Sequence, residues 1–144
     1  MRLLIDGDAC PNKEELYQLA LAYKIEMIVF CDYSHILNGD YKTIYTDVGH
    51  DEVDQIIYKE AHHDDIIITQ DYGLASLLIL KGATVIHING FILDEDNICS
   101  YLASRYESAK ARRSNKRMKQ MKKRSSDMQE NLLNCVKFTI ESYN

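Results

Sequence analysis

The 144-residue chain has no tryptophan, one proline (Pro11) and only six glycines. So little proline and glycine excludes a collagen-like or Pro/Gly-rich linker region, and no internal repeat is visible. The chain therefore reads as one domain over residues 1–144, long enough to bury a sizeable core. No apolar run approaches the ~18 residues a membrane helix needs. The start lacks the basic-then-apolar pattern of a signal peptide, because Asp6 falls where the apolar stretch would be. The expectation is a cytoplasmic protein with no membrane partner. The four cysteines, Cys10, Cys31, Cys99 and Cys135, show no CxxC spacing. That argues against a zinc site and leaves them as buried, small apolar residues.

Charge is not short, but it is unevenly placed. Apolar residues make up 46% and charged residues 27%, ordinary for a soluble globular chain. Lys110 to Arg124 holds nine of the 17 basic residues and no acid, so the rest of the chain carries 8 bases against 22 acids. An acidic body with one basic segment is not an averaged surface. The segment has no aromatic residue, which argues against sequence-specific base readout. Its acid-free character suits phosphate contacts, with Arg112, Arg113, Lys116, Arg117, Lys119 and Lys123 as the candidate nucleic-acid ligands. The alternative is a solvated charged linker.

Leu3–Ile5 reads as a buried strand, followed by a helix over Asn12–Tyr23 with Leu16, Leu19, Ala20 and Tyr23 on one face. Pro11 fits the start of that helix. Strands are expected at Glu26–Cys31, Tyr41–Thr46, Asp65–Thr69 and Thr84–Ile88. Helices are expected at Asp51–Ala61, Gly73–Leu80, Asp94 to about Lys110, and 127–142, the last with Leu132, Leu133, Val136 and Ile140 as its apolar stripe. Near-continuous apolar strands alternating with helices indicate an α/β three-layer sandwich around a mostly parallel five-stranded sheet.

In such a sheet, sites form in the crevice beyond the carboxyl ends of the strands. Asp6 ends the first strand, Asp71 follows the fourth by two residues, and Asp54 lies in the first turn of a helix opening on the same edge. With Asp8, four acids from distant parts of the chain can converge there. Each has a local alternative: Asp71 and Asp8 as helix caps, Asp51 and Asp54 as a first-turn pair favoured by the helix dipole. Asp6, at a strand end, has none. Carboxylates ~5 Å apart repel by about 3 kcal/mol per pair at an effective dielectric of 20. Such a cluster takes up protons or holds a cation, and hard oxygen ligands suit Mg²⁺ or Mn²⁺. A bound ion reverses the local sign and admits a phosphodiester. Thr69 could orient a ligand or a water, His50 precedes the second helix near the crevice, and Asn89 could line the pocket.

The DGDACP opening, GHDEVDQII, DIIITQDYGLA and HINGFILDEDNI, in that order over roughly Met1–Ala103, resemble the YaiI/YqxD family of bacterial proteins. That family looks like a branch of the PIN/NYN-like nuclease domains. The resemblance implies sheet order 3-2-1-4-5, a divalent-metal site at Asp6, Asp54 and Asp71, and Asp8 as an accessory acid. The stretch SAKARRSNKRMKQMKKRSS departs from the Gly/Pro-containing loop expected before the last helix. The function expected is metal-dependent hydrolysis of nucleic acid, with RNA as substrate. One alternative is a non-catalytic nucleic-acid-binding module with a structural cation. Another is a haloacid-dehalogenase-type phosphatase, since Asp6-x-Asp8 resembles its nucleophile and acid pair. Cys10 stands where that pattern has Thr or Val, and Asp64 and Asp65 precede a strand where a late acid pair should follow one. The sequence leaves the oligomeric state open.

Overall fold

In the computed structural model, residues 1–34, 37, 39–49, 51–104 and 126–143 are described. They form β1 (Arg2–Asp6), α1 (Lys13–Ala22), β2 (Glu26–Asp32), β3 (Lys42–Thr46), α2 (Glu52–Glu60), β4 (Ile66–Thr69), α3 (Tyr72–Leu80), β5 (Thr84–His87) and β6 (Phe91–Leu93). A helical run at 98–104 (α4) and α5 (Ser126–Ser142) follow. The sheet order is β3-β2-β1-β4-β5-β6, parallel except for the last pair.

Alternation along each strand divides the core between two faces. Leu3 and Ile5 of β1, with Val29, Ile66, Ile68 and Ile86, pack beneath Leu16 and Ala20 of α1 and Leu132, Val136 and Ile140 of α5. Leu4, with Ile28, Phe30, Ile67 and Val85, packs beneath Val53 and Ile57 of α2, Leu74 and Leu78 of α3, and Ile98 of α4. Both faces are covered, which is why the strands are apolar throughout and not every second residue. The result is the three-layer sandwich expected.

Three details correct the sequence reading. The sheet has six strands, not five, because the chain turns back at Asn89–Gly90 and His87 pairs antiparallel with Phe91. The Gly90 N–H closes that turn on His87 O at 2.9 Å. The helix expected from Asp94 begins at 98 instead. Asp94 accepts from the Asp96 and Asn97 N–H groups, and Asn97 Oδ1 accepts from Asp94 N, a reciprocal turn that holds the chain out of helix. Of the cysteines, all free, Cys10 and Cys31 are buried, but Cys99 is exposed and Cys135 only partly covered.

At the amino end of the strands, Asp65 is 1% exposed and accepts from Arg2 N, Nε and Nη2 and from His62 N. Arg2 also reaches Glu60 O at 2.9 Å, so β1 is tied to the α2–β4 connection. Gly90 does the equivalent work for α5. Its φ is +91°, and a Cβ there would lie 2.4 Å from Asn131 C and 2.5 Å from Leu132 N. Gly90→Ala is expected to destabilise the fold by about 2–4 kcal/mol, combining left-handed backbone strain with overpacking. A urea titration that left the midpoint unchanged would contradict this seating of α5.

Candidate active site

The carboxyl edge of the sheet is built from the end of β1 outward. Gly7 passes so close to β2 that its N–H meets Phe30 O at 2.7 Å, and a Cβ would lie 2.7 Å from both Phe30 O and Val29 Cγ1. Only glycine fits, so the chain turns out of the sheet between Asp6 and Asp8. The Ala9 and Cys10 N–H groups close on Asp6 O at 3.2 and 3.1 Å. The Asp6 carboxylate is buried and takes a backbone hydrogen bond from Asp8, whose own side chain is exposed.

Thr69, fully buried at the end of β4, donates its hydroxyl to Asp6 Oδ2 at 3.0 Å and accepts the Asp71 N–H at 3.1 Å. One side chain thus sets the positions of two acids 65 residues apart. Thr69 does not line the cavity; the ligand it orients is a carboxylate of the protein itself. Asp71 caps α3 by accepting from Leu74 N at 3.0 Å, so the capping alternative holds. It also lines the cavity, so capping and a place in the site are compatible.

Asp54, in the first turn of α2, shares a hydrogen bond with Asp71. Two carboxylates can do so only with a proton between them. Burial, that hydrogen bond, and the charges of Asp71, Asp6 and Asp51 push the Asp54 carboxyl up to about 7. Burial pushes Asp6 up to about 6, opposed by the Thr69 hydrogen bond and reinforced by Asp8 and Asp71. Burial first, and neighbouring negative charge after it, thus raise the proton affinity of these two carboxyls, a feature that concentrates at functional sites.

These acids line a cavity of about 880 Å³, wide enough for a small ligand. Asp6, Asp8, Asp54, Asp71 and Asn89 are all in its wall. His50 lies outside the described residues, as do Arg112, Arg113, Lys116, Arg117, Lys119 and Lys123. The sequence reading missed Asp32, which lines the cavity from the end of β2; the strand-end rule that selected Asp6 would have selected it. It also missed Glu52, His87 and Met128. His87 is a satisfied sheet residue, accepting from Asn89 N at Nδ1, and its ring also reaches the cavity. Met128 brings the first turn of α5 to the rim.

Among the described residues, no three Asp, Glu, His or Cys side chains close into a set able to surround a metal ion. Asp54 and Asp71, both in the cavity wall, are the carboxylates that would supply one or two ligands to a hard cation completed by water. No described helix is long and apolar enough to cross a membrane.

Comparison with known proteins places the chain. Residues 4–142 match the uncharacterised YaiI/YqxD family. A "UPF0178 protein" of Clostridium kluyveri is 40% identical over 141 residues, covering 94% of this chain and 93% of that one. One from Natranaerobius thermophilus is 40% identical over 138 residues, covering 95% and 94%. One from Clostridium perfringens is 32% identical over 142 residues, covering 98% and 95%. No solved structure matches. The chain belongs to the YaiI/YqxD family.

Crowding of these acids has a measurable sign. The folded chain binds protons at Asp54 and Asp6 more tightly than an unfolded carboxyl of pKa 3.8. Their contribution to stability is present below pH 3.8 and is lost as pH rises through about 6 and 7. Asp54→Asn is therefore expected to stabilise the metal-free protein at pH 8 by about 1 kcal/mol after solvent screening, and by less at pH 5. Urea midpoints at the two pH values in EDTA check this; a gain independent of pH would refute it.

Proposed function

We propose that this member of the YaiI/YqxD family is a divalent-metal-dependent phosphodiesterase of the PIN/NYN-like kind, acting on nucleic acid, with RNA as its substrate. The observation that carries this reading is the convergence of Asp6, Asp54 and Asp71, from three separate elements, on one open cavity. The raised proton affinity of Asp6 and Asp54 marks negative charge that a cation would relieve.

Asp54 and Asp71 are the residues to hold Mg²⁺ or Mn²⁺, with Asp6 and Asp8 at its edge. Bound there, the ion supplies Lewis acidity toward a phosphoryl oxygen and lowers the pKa of a water. The chain's own part is positional. Thr69 fixes the Asp6 carboxylate, and the α3 cap fixes Asp71, so neither has to reorganise when substrate arrives. Asp6 itself is 6% exposed, which suits a fixed electrostatic role and disfavours direct attack on phosphorus as in the phosphatase alternative.

The grip on a polyanion falls to the basic segment 110–124. It leads along the chain into α5, whose Met128 lines the cavity. Phosphate contacts by Arg112, Arg113, Lys116, Arg117, Lys119 and Lys123 would release counterions, making binding steeply salt-dependent. The lack of a three-donor set among the described residues favours a second reading, a nucleic-acid-binding module without turnover.

One experiment separates the two. Metal-stripped protein is supplied with Mn²⁺ and labelled single-stranded RNA, beside Asp54→Asn and Asp71→Asn. Hydrolysis by the wild type, falling about 100-fold or more in either variant, is the expected outcome. Saturating Mn²⁺ should also stabilise the wild type, by about 2.7 kcal/mol at one hundred times its dissociation constant, and not Asp54→Asn. RNA binding with no turnover would leave only the binding module, its cation structural if Mn²⁺ still stabilises the fold.

A further inference from the structure

β2 leaves the sheet at the crevice, and its last residue, Asp32, lines the cavity. The next side chain, Tyr33, is 63% exposed. Its ring nonetheless has a fixed seat, nearly parallel to that of Tyr45 at 11°, with centroids 5.4 Å apart. One face is covered by Tyr45, and among the described residues no second ring covers the other. The Tyr33 N–H donates to Thr46 O at 3.1 Å, and the Ser34 N–H donates to Asp32 Oδ1 at 2.9 Å. Tyr45 is anchored in turn, its hydroxyl accepting from Leu37 N at 3.2 Å. An aromatic face held rigid before any ligand arrives loses little freedom on binding.

On the other side of β1, Tyr72 belongs to a second group of rings, with His87, Phe91 and Tyr101. Tyr72 lines the cavity and lies parallel to Tyr101 within 6°, with centroids 5.1 Å apart. The ends of β2 and β4 are two strand spacings, roughly 10 Å, apart. Tyr72 packs against both His87 and Tyr101, so the aromatic face left for a base is that of Tyr33, which adjoins the acids through Asp32. In a duplex both faces of each base are already stacked on neighbours, so an open ring can be used only by an unpaired strand.

We propose that the face of Tyr33 turned away from Tyr45 stacks an unpaired base of a single-stranded nucleic acid whose phosphodiester lies in the carboxylate crevice. This rests on the phosphodiesterase reading above and adds the substrate class. Stacking of this kind carries ~1–3 kcal/mol per base and tolerates any sequence.

The test is fluorescence anisotropy in Mg²⁺ with three labelled RNA probes of about eight nucleotides: a single strand, a duplex, and a single strand with abasic riboses at its centre. The wild type is expected to prefer the intact single strand. Tyr33→Ala should weaken that probe alone by about 5- to 100-fold, and Tyr33→Phe, which keeps the ring, should restore it. Wild type that binds no single strand, or binds the duplex as tightly, overturns the proposal. So does a Tyr33→Ala variant whose affinities are unchanged or fall equally for all three probes. Failure of the function itself shows separately, as base-dependent binding without Mn²⁺-dependent cleavage.

Discussion

The hydroxyl of Thr69 is the point on which the carboxyl edge depends. It donates to Asp6 and accepts from the backbone of Asp71, joining the exit of β1 to the entry of α3. Without that donor, Asp6 would be a buried carboxylate held mainly by the backbone turn that follows it. Leaving a buried acceptor short of a partner costs about 1–3 kcal/mol, more when it is charged. The hydroxyl thus makes it affordable to keep an acid at a strand end, and it also aims the helix cap that sets Asp71.

Two buried aspartates at opposite ends of the same strands show what separates a structural acid from a candidate functional one. Asp65 receives a guanidinium and two backbone N–H groups, and Arg2 closes over it. Its charge is matched, and the pair locks the amino edge. Asp6 has a hydroxyl, a backbone N–H and the fields of other acids. Among the described residues no cation acts on Asp6, and burial pushes its carboxyl up to about 6. Similar burial meets different partners: a guanidinium faces Asp65, whereas a hydroxyl and neighbouring acids face Asp6.

Much of this was legible in the residues. Strands appear as apolar runs because both faces of the sheet are covered, and Asp6 and Asp71 stand out because they end or follow those runs. β6 was not legible: Phe91–Leu93 is too short to show a period, and only the Gly90 turn makes it a strand. The late start of α4 was hidden in the mutual hydrogen bonds of Asp94 and Asn97, which mimic helix-capping residues one turn too early. The role of Thr69 could not be read locally at all, since its partner lies 63 positions away. The rigid seat of Tyr33 depends likewise on Tyr45, a neighbour only through the β2–β3 register.

The placement of α5 bears on how the protein comes into being. Leu132, Val136 and Ile140 roof one face of the sheet, and Met128 supplies part of the cavity wall, yet this helix is synthesised after every strand it covers. Until it docks, a nascent chain on the ribosome carries a sheet with half its roof missing and a crevice with an open side. Completion of the cavity wall is thereby coupled to the docking of α5, so a chain made only as far as its strands lacks the finished pocket.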